Sequence, residues 1–128
     1  MSYRIIVCGS RAFQDKELLF RSLDEALAGL DDVEIVSGHA QGADRLAEEY
    51  ARERELDLKI FPADWKRYGK AAGPIRNREM LEYAKESAAL VFAFWDGKSS
   101  GTKNMISMAK NDEIPVRRLP ISKIYDIK

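Results

Sequence analysis

"SGHAQGADRLAEEY", residues 37–50, begins at the end of a short apolar run, "VEIVS", and continues into a stretch with helical spacing. The turn between them carries Gly38, Ala40, Gly42 and Ala43 and almost nothing bulky. A chain strips a turn in this way where its backbone bends tightly, or where another group must come close to it. If the turn joins a buried strand to a helix, the segments on either side should repeat the same alternation.

They do. "RIIVC" (4–8) is a compact run, apolar throughout after Arg4, as expected of a strand covered on both faces. "DKELLFRSLDEALAGL" (15–30) places Leu19, Leu23, Ala26, Leu27 and Leu30 at helical spacing, with Asp15 suited to the N-cap and Glu17 to the first turn. Strand 33–37 and helix 43–55 follow, the latter with Leu46, Ala47, Tyr50 and Ala51 on one face. "LDLKIFP" (56–62) is the third strand. A longer connection, 63–73, precedes a helix over 74–87, with Pro74 suited to its first position. Strand 88–94, turn 95–101, helix 102–111 and a shorter strand at 114–120 complete the series. The tail "ISKIYDIK" is open between a further strand, a surface packed on a partner and a frayed end. The pattern predicts an α/β fold: a doubly wound parallel sheet of about five strands, order near 3-2-1-4-5, in three α/β/α layers.

Composition narrows the function. The 128 residues suit one domain spanning 1–128, and 45% of them are apolar, enough for a packed interior. Twenty-one basic residues balance 21 acidic ones, which argues against a nucleic-acid partner held by bulk charge. One cysteine, Cys8, excludes a disulfide within the chain and reads as core. One Cys and one His leave no structural zinc site, so no metal or cofactor is expected. No apolar stretch approaches the roughly 20 residues of a membrane helix, and "MSYRIIV" enters a strand without a signal peptide. The expectation is a cytoplasmic protein with no membrane partner.

In such sheets ligands bind beyond the carboxyl ends of the strands, where strand order reverses, here between strands 1 and 4. The turns after strands 1 to 4 are "CGSRAF", "SGHAQGAD", "PADWKRYGKAAGPIRN" and "WDGKSSGTKN"; only Gly29, of eight glycines, lies outside them. Helix starts usually carry Asp or Glu. Here helix 2 sets Arg45 beside Asp44, helix 3 opens with Arg76, Asn77 and Arg78, and helix 4 opens with Thr102, Lys103 and Asn104. An anion seated at the helix starts would turn these cations into an advantage; otherwise they simply point into water. "SSGT" adds hydroxyls from Ser99, Ser100 and Thr102 around the small Gly101, in the manner of a phosphate cradle or of an ordinary capped helix start. Neither G-x-x-x-x-G-K-[ST] nor G-x-G-x-x-G occurs, so ATP hydrolysis and hydride transfer lose their usual sequence support. Trp65 and Tyr68 read either as stacking platforms or as cover for a sheet edge. Asp44, Asp64 and Asp96 are the carboxylates nearest the mouth and the weak catalytic candidates. His39, the lone histidine, has no legible Ser–His–Asp partners.

"VCGSRAF", "SGHAQGADRLAEEYA", "FPADWKRYGKAAGPIRNREM" and "DGKSSGT", in this order, resemble the YspA-like, YpsA-related branch of the SLOG superfamily, named for the Smf/DprA and LOG (Lonely Guy) proteins. The resemblance spans about residues 4–110. It implies a Rossmann-like fold that binds nucleotides or nucleotide-derived ligands, in a branch where some members are proposed sensors or effectors in phage and bacterial conflict. The more distant LOG enzymes cleave the N-glycosidic bond of nucleoside 5′-monophosphates. Their pattern pairs an arginine before helix 3 with P-G-G-x-G-T-x-x-E. Arg76 stands at the arginine position here, followed by Asn77, and Gly101 and Thr102 match, but the glutamate falls on Met105. Methionine cannot do a carboxylate's work.

The expected site follows. Arg76, Arg78, Ser99, Ser100, Gly101 and Thr102 hold phosphate. Gly9, Ser10, Arg11, Gly38, Gly42, Ala43 and Asp44 line the floor and sugar side, with Asn77 and Asp64 at the rim, and Trp65 closes over the ligand. The leading expectation is a nucleotide-binding module. The alternatives are a nucleotide N-glycosidase with an aspartate in the missing glutamate's place, and a DprA-like nucleic-acid or protein-interaction domain. Homodimerisation accords with the resemblance and with the apolar tail.

Overall fold

The computed structural model describes residues 2–119. Five strands form one parallel sheet: β1 (Tyr3–Gly9), β2 (Val33–Ser37), β3 (Asp57–Ile60), β4 (Ala88–Phe94) and β5 (Val116–Arg118), in the order β3-β2-β1-β4-β5. The helices are α1 (Lys16–Leu27), α2 (Ala43–Glu53), the short α3 (Trp65–Tyr68), α4 (Ala72–Ala84) and α5 (Ser100–Asn111). The α/β class and strand order are those read from the sequence.

The apolar run of β1 is explained by its two faces. Ile5 and Val7 enter a core with Leu19, Leu23 and Ile35 beneath α1 and α2. Ile6 and Cys8, pointing the other way, enter a second core with Val36, Met80, Leu81 and Met105 beneath α4 and α5. Each fully buried aliphatic side chain contributes about 1.5–3 kcal/mol. Among the described residues no helix is long and apolar enough to cross a membrane.

The differences from the sequence reading lie at element ends. Asp15 caps α1 as expected, its carboxylate accepting from the Leu18 N–H, but the helix stops at Leu27, where Ala28 turns extended and Gly29 takes φ 83°. Leu30 therefore packs from outside the helix. The connection 63–73 is not irregular: Asp64 caps α3 by accepting from the Arg67 N–H, and a 3₁₀ turn over Gly69–Ala71 leads straight into α4. Pro74 thus occupies the third helical position rather than the first, still inside the turn whose N–H groups need no helical partner. Arg76, Asn77 and Arg78 consequently lie in the second turn, not at the helix start. Helix α5 begins at Ser100, two residues early, because Ser99 and not a later residue supplies the cap. The expected strand 114–120 contracts to Val116–Arg118, and the tail lies outside the described residues.

Candidate functional site

Parallel register carries β1 and β4 side by side to their carboxyl ends, where Gly9 pairs with Phe94. The space beside Gly9 is closed: a Cβ there would lie 2.7 Å from the Ala43 Cβ and press on the Phe94 carbonyl. Gly42, at φ 81°, is pressed just as closely, since a Cβ would stand 2.6 Å from the Arg11 carbonyl oxygen. The glycines at this rim let the turn before α2 dock on the end of β1. Ser10, almost fully buried, fastens the two: its N–H donates to the Phe94 carbonyl (3.1 Å), its carbonyl accepts from the Ala43 N–H (3.4 Å), and its hydroxyl accepts from the Asp96 N–H (3.2 Å).

Above this floor opens a cavity of about 760 Å³, within the size range of small-ligand sites. Gly9, Ser10, Arg11, Asp44, Trp65, Arg76, Asn77, Asp96, Ser99, Ser100, Gly101 and Thr102 all line it. Lys70, Gly73, Pro74 and Asn104, which the expected site did not include, line it too. Another hollow, of about 430 Å³ at Gln14–Glu17 and Phe20, opens beside the start of α1 and shares no lining residue with this cavity.

The α5 wall is a capped helix start. The Ser99 hydroxyl accepts from the Thr102 N–H (3.4 Å) and meets the Thr102 hydroxyl at 3.1 Å. The Asp96 carboxylate accepts from the Lys98 and Ser99 N–H groups at 2.8 and 2.9 Å, which hold it below the usual carboxylate range. Trp95 donates its indole N–H to the Ser99 carbonyl (3.0 Å). The N–H groups of Ser100 and Gly101 find no acceptor among the described residues, and a Cβ at Gly101 would meet nothing within 4 Å. These are the free donors of a helix N-terminus, open to the cavity.

The α4 wall supplies the cation. Arg76 folds back across the floor and donates to the Gly38 carbonyl, its Nε donating to Asn77 Oδ1 (3.0 Å). A Cβ at Gly38 would lie 2.7 Å from the Arg76 guanidinium carbon, so the bare backbone there leaves room for the guanidinium to lie across the turn. Asp44 is nearly fully buried and accepts from the Ala40 N–H (3.2 Å). Burial pushes its carboxyl up to about 6, opposed by the Ala40 N–H and the Arg76 charge. Burial also pulls Arg76 below its ordinary value, while the Asp44 charge holds it up.

Of the residues weighed from the sequence, Arg78, Asp64, Gly42, Ala43 and Tyr68 stand outside this lining, as does Gly38, which Arg76 covers. Arg78 leaves the cavity and pairs with Asp112 (2.6 Å) and Glu82 (3.0 Å), because two positions along a helix turn its side chain well away from that of Arg76. Asp64 is occupied in capping α3, outside the lining. Gly42 and Ala43 lie beneath the floor as packing. Tyr68 is half-exposed outside the lining, with Arg67 over its ring. Met105 is buried in the second core, so no acid stands where the LOG pattern has one. Among the described residues no group of three or more His, Cys, Asp or Glu is placed to hold a metal ion.

Sequence reasoning missed Glu48. Its carboxylate, buried beneath α2, accepts from the Ser37 hydroxyl (2.8 Å) and faces His39 Nδ1 (2.8 Å). The signal was its spacing: Asp44, Ala47, Glu48 and Ala51 form one buried stripe.

Three similarities place the molecule among known proteins. Residues 3–68 match the family model YAcAr, described as the YspA, cpYpsA-related SLOG family. The "Gene 61 protein" of Mycobacterium phage D29 is 34% identical over 119 residues, covering 88% of this chain and 93% of the phage protein. The X-ray structure of DNA processing protein A (DprA) from Streptococcus pneumoniae superposes with a TM-score of 0.70 at 20% identity, over 93% of this chain, which spans half the length of the DprA chain. That likeness is one of fold, and the sequence matches carry the assignment: the chain belongs to the YspA, cpYpsA-related SLOG family.

Proposed function

We propose that the protein binds a nucleotide or nucleotide-derived ligand in the cavity above β1 and β4, as a sensor or binding module. One observation carries this reading: the unpaired N–H groups of Ser100 and Gly101, the Thr102 hydroxyl and the Arg76 guanidinium all border one cavity at the point where strand order reverses. A phosphate suits that donor set, and Trp65, half-exposed at the mouth, offers an aromatic face to a base. The experiment is a nucleotide titration followed by thermal unfolding. A ligand at 100 times its Kd adds about 2.7 kcal/mol of stability. The Arg76→Ala, Thr102→Ala double variant should lose that response; a response equal to wild type, or none to any nucleotide in wild type, contradicts the reading.

A second reading has one observation in its favour. Of the three carboxylates weighed from sequence, Asp44 alone is both buried in the cavity wall and raised to about 6, a value suited to proton transfer near neutrality. An N-glycosidase acting through Asp44 would release free base from a nucleoside 5′-monophosphate, and Asp44→Asn would abolish that release. Binding without base release leaves the module reading alone.

A further inference from the structure

Beside the main cavity lies a second hollow of about 380 Å³, behind Trp65. The two share Arg11, Ala40, Trp65 and Arg76 in their linings, so they are neighbouring lobes of one depression. The second lobe adds His39 and Arg45, and its lining contains no Asp or Glu. Among the described residues neither Arg11 nor Arg45 makes an ion pair.

His39 is held there by the backbone and by three contacts. It takes φ 64°, left-handed backbone that few residues other than glycine adopt and in which histidine is one of the better tolerated. Its N–H donates to the Ser37 hydroxyl (3.1 Å), and its carbonyl accepts from Arg45 Nε (3.1 Å). Nδ1 meets the buried Glu48 carboxylate at 2.8 and 3.0 Å. A carboxylate only accepts, so Nδ1 carries the proton and Nε2 has no partner among the described residues. A turn alone would be served by glycine. Retaining an imidazole in this backbone, oriented by a buried carboxylate, fits a side chain whose other nitrogen meets a ligand.

We infer that this lobe is a second anion subsite, formed by His39, Arg45 and the shared Arg11 and Arg76, and that the ligand carries two separate phosphate groups joined across Trp65. The inference rests on the nucleotide reading of the main cavity and names the ligand class: a dinucleotide-like molecule rather than a mononucleotide. One phosphate sits at the α5 start. The connecting base or sugar lies against the indole that borders both lobes. The other phosphate faces the cations of the second lobe.

The test compares adenosine 5′-monophosphate with the 5′-phosphorylated dinucleotide pApA by titration calorimetry, with the guanine pair run alongside. Wild-type protein should bind the dinucleotide at least tenfold more tightly than the mononucleotide. Arg45→Ala, and His39→Gly combined with Glu48→Gln, should each erase that advantage and leave the mononucleotide Kd unchanged. Glycine is the substitution suited to the backbone at 39, Gln at 48 keeps an acceptor for the Ser37 hydroxyl, and Arg45 is exposed; an unfolding curve matching wild type verifies each variant before titration. Mononucleotide binding without a dinucleotide gain overturns the second subsite and leaves the main cavity's reading intact. A gain that survives both variants overturns it as well. Binding of neither probe pair removes both readings together.

Discussion

Asn77 on α4 donates from Nδ2 to Oδ1 of Asn104 on α5, 2.9 Å away, and so ties the two walls of the cavity to each other. The same amide reaches the Gly101 carbonyl (3.3 Å), while its Oδ1 accepts from Arg76 Nε (3.0 Å). This buried side chain fixes the phosphate-facing turn and the cation opposite it. Asn77→Ala strands several polar groups at once and is expected to destabilise the fold by about 1–3 kcal/mol. Urea unfolding measures it; a loss near zero would show that the walls stand independently.

Two glycines of the rim should respond in opposite directions. Gly42→Ala forces a Cβ against the Ser10 and Arg11 carbonyls in left-handed backbone, and a loss above about 2 kcal/mol is expected. Gly101→Ala meets empty space within α5 and should gain about 0.5–1 kcal/mol. The added methyl would nevertheless stand where the ligand approaches. Higher melting temperature with weaker nucleotide binding is the expected signature, and unchanged binding would move the phosphate away from this helix start.

Ser99 tests the cap apart from the ligand. Its hydroxyl accepts from the Thr102 N–H, so Ser99→Ala should cost about 1 kcal/mol even in ligand-free protein. Chemical denaturation without nucleotide checks it.

Asp44 imposes a pH dependence. Its folded value, about 6, lies above the ordinary 3.8, so between about pH 4 and 6 the native state keeps a proton that the unfolded chain has released. Stability should therefore fall as pH rises through that window and level off above it. Asp44→Asn removes the slope and should stabilise the protein by about 3 kcal/mol at pH 7.5, with the two proteins converging near pH 4. Paired urea titrations at the two pH values decide; a difference between the two proteins that does not grow from pH 4 to pH 7.5 would refute the assignment.

The fold was legible because burial on both faces leaves a plain mark. "IIVC" and "AALVFAF" have no charged residue to lose, and small residues at the turns announce the crossovers. The grouping of Ser10, Arg76 and Thr102 on one rim was legible from strand order alone. Direction within an element was not. Arg76 and Arg78 read alike as letters, yet about 200° of helix separates them, and the second meets Asp112 from another element. Glu48 looks like any surface glutamate until the Ser37 hydroxyl and His39 are brought beneath α2. The four residues of α3 were invisible because a single capped turn has no periodicity to display.

Cys8 opens a practical route to these questions. It is the chain's one cysteine, and burial, with the Asp44 charge nearby, pushes its thiol far up, so the reactive thiolate is withheld from reagents in the native protein. The wild-type chain therefore behaves as a blank for maleimide chemistry. A cysteine introduced at an exposed position such as Lys98 would be the sole attachment point for a fluorophore, stationed beside the α5 turn, where the arrival of a guest molecule can be watched in real time.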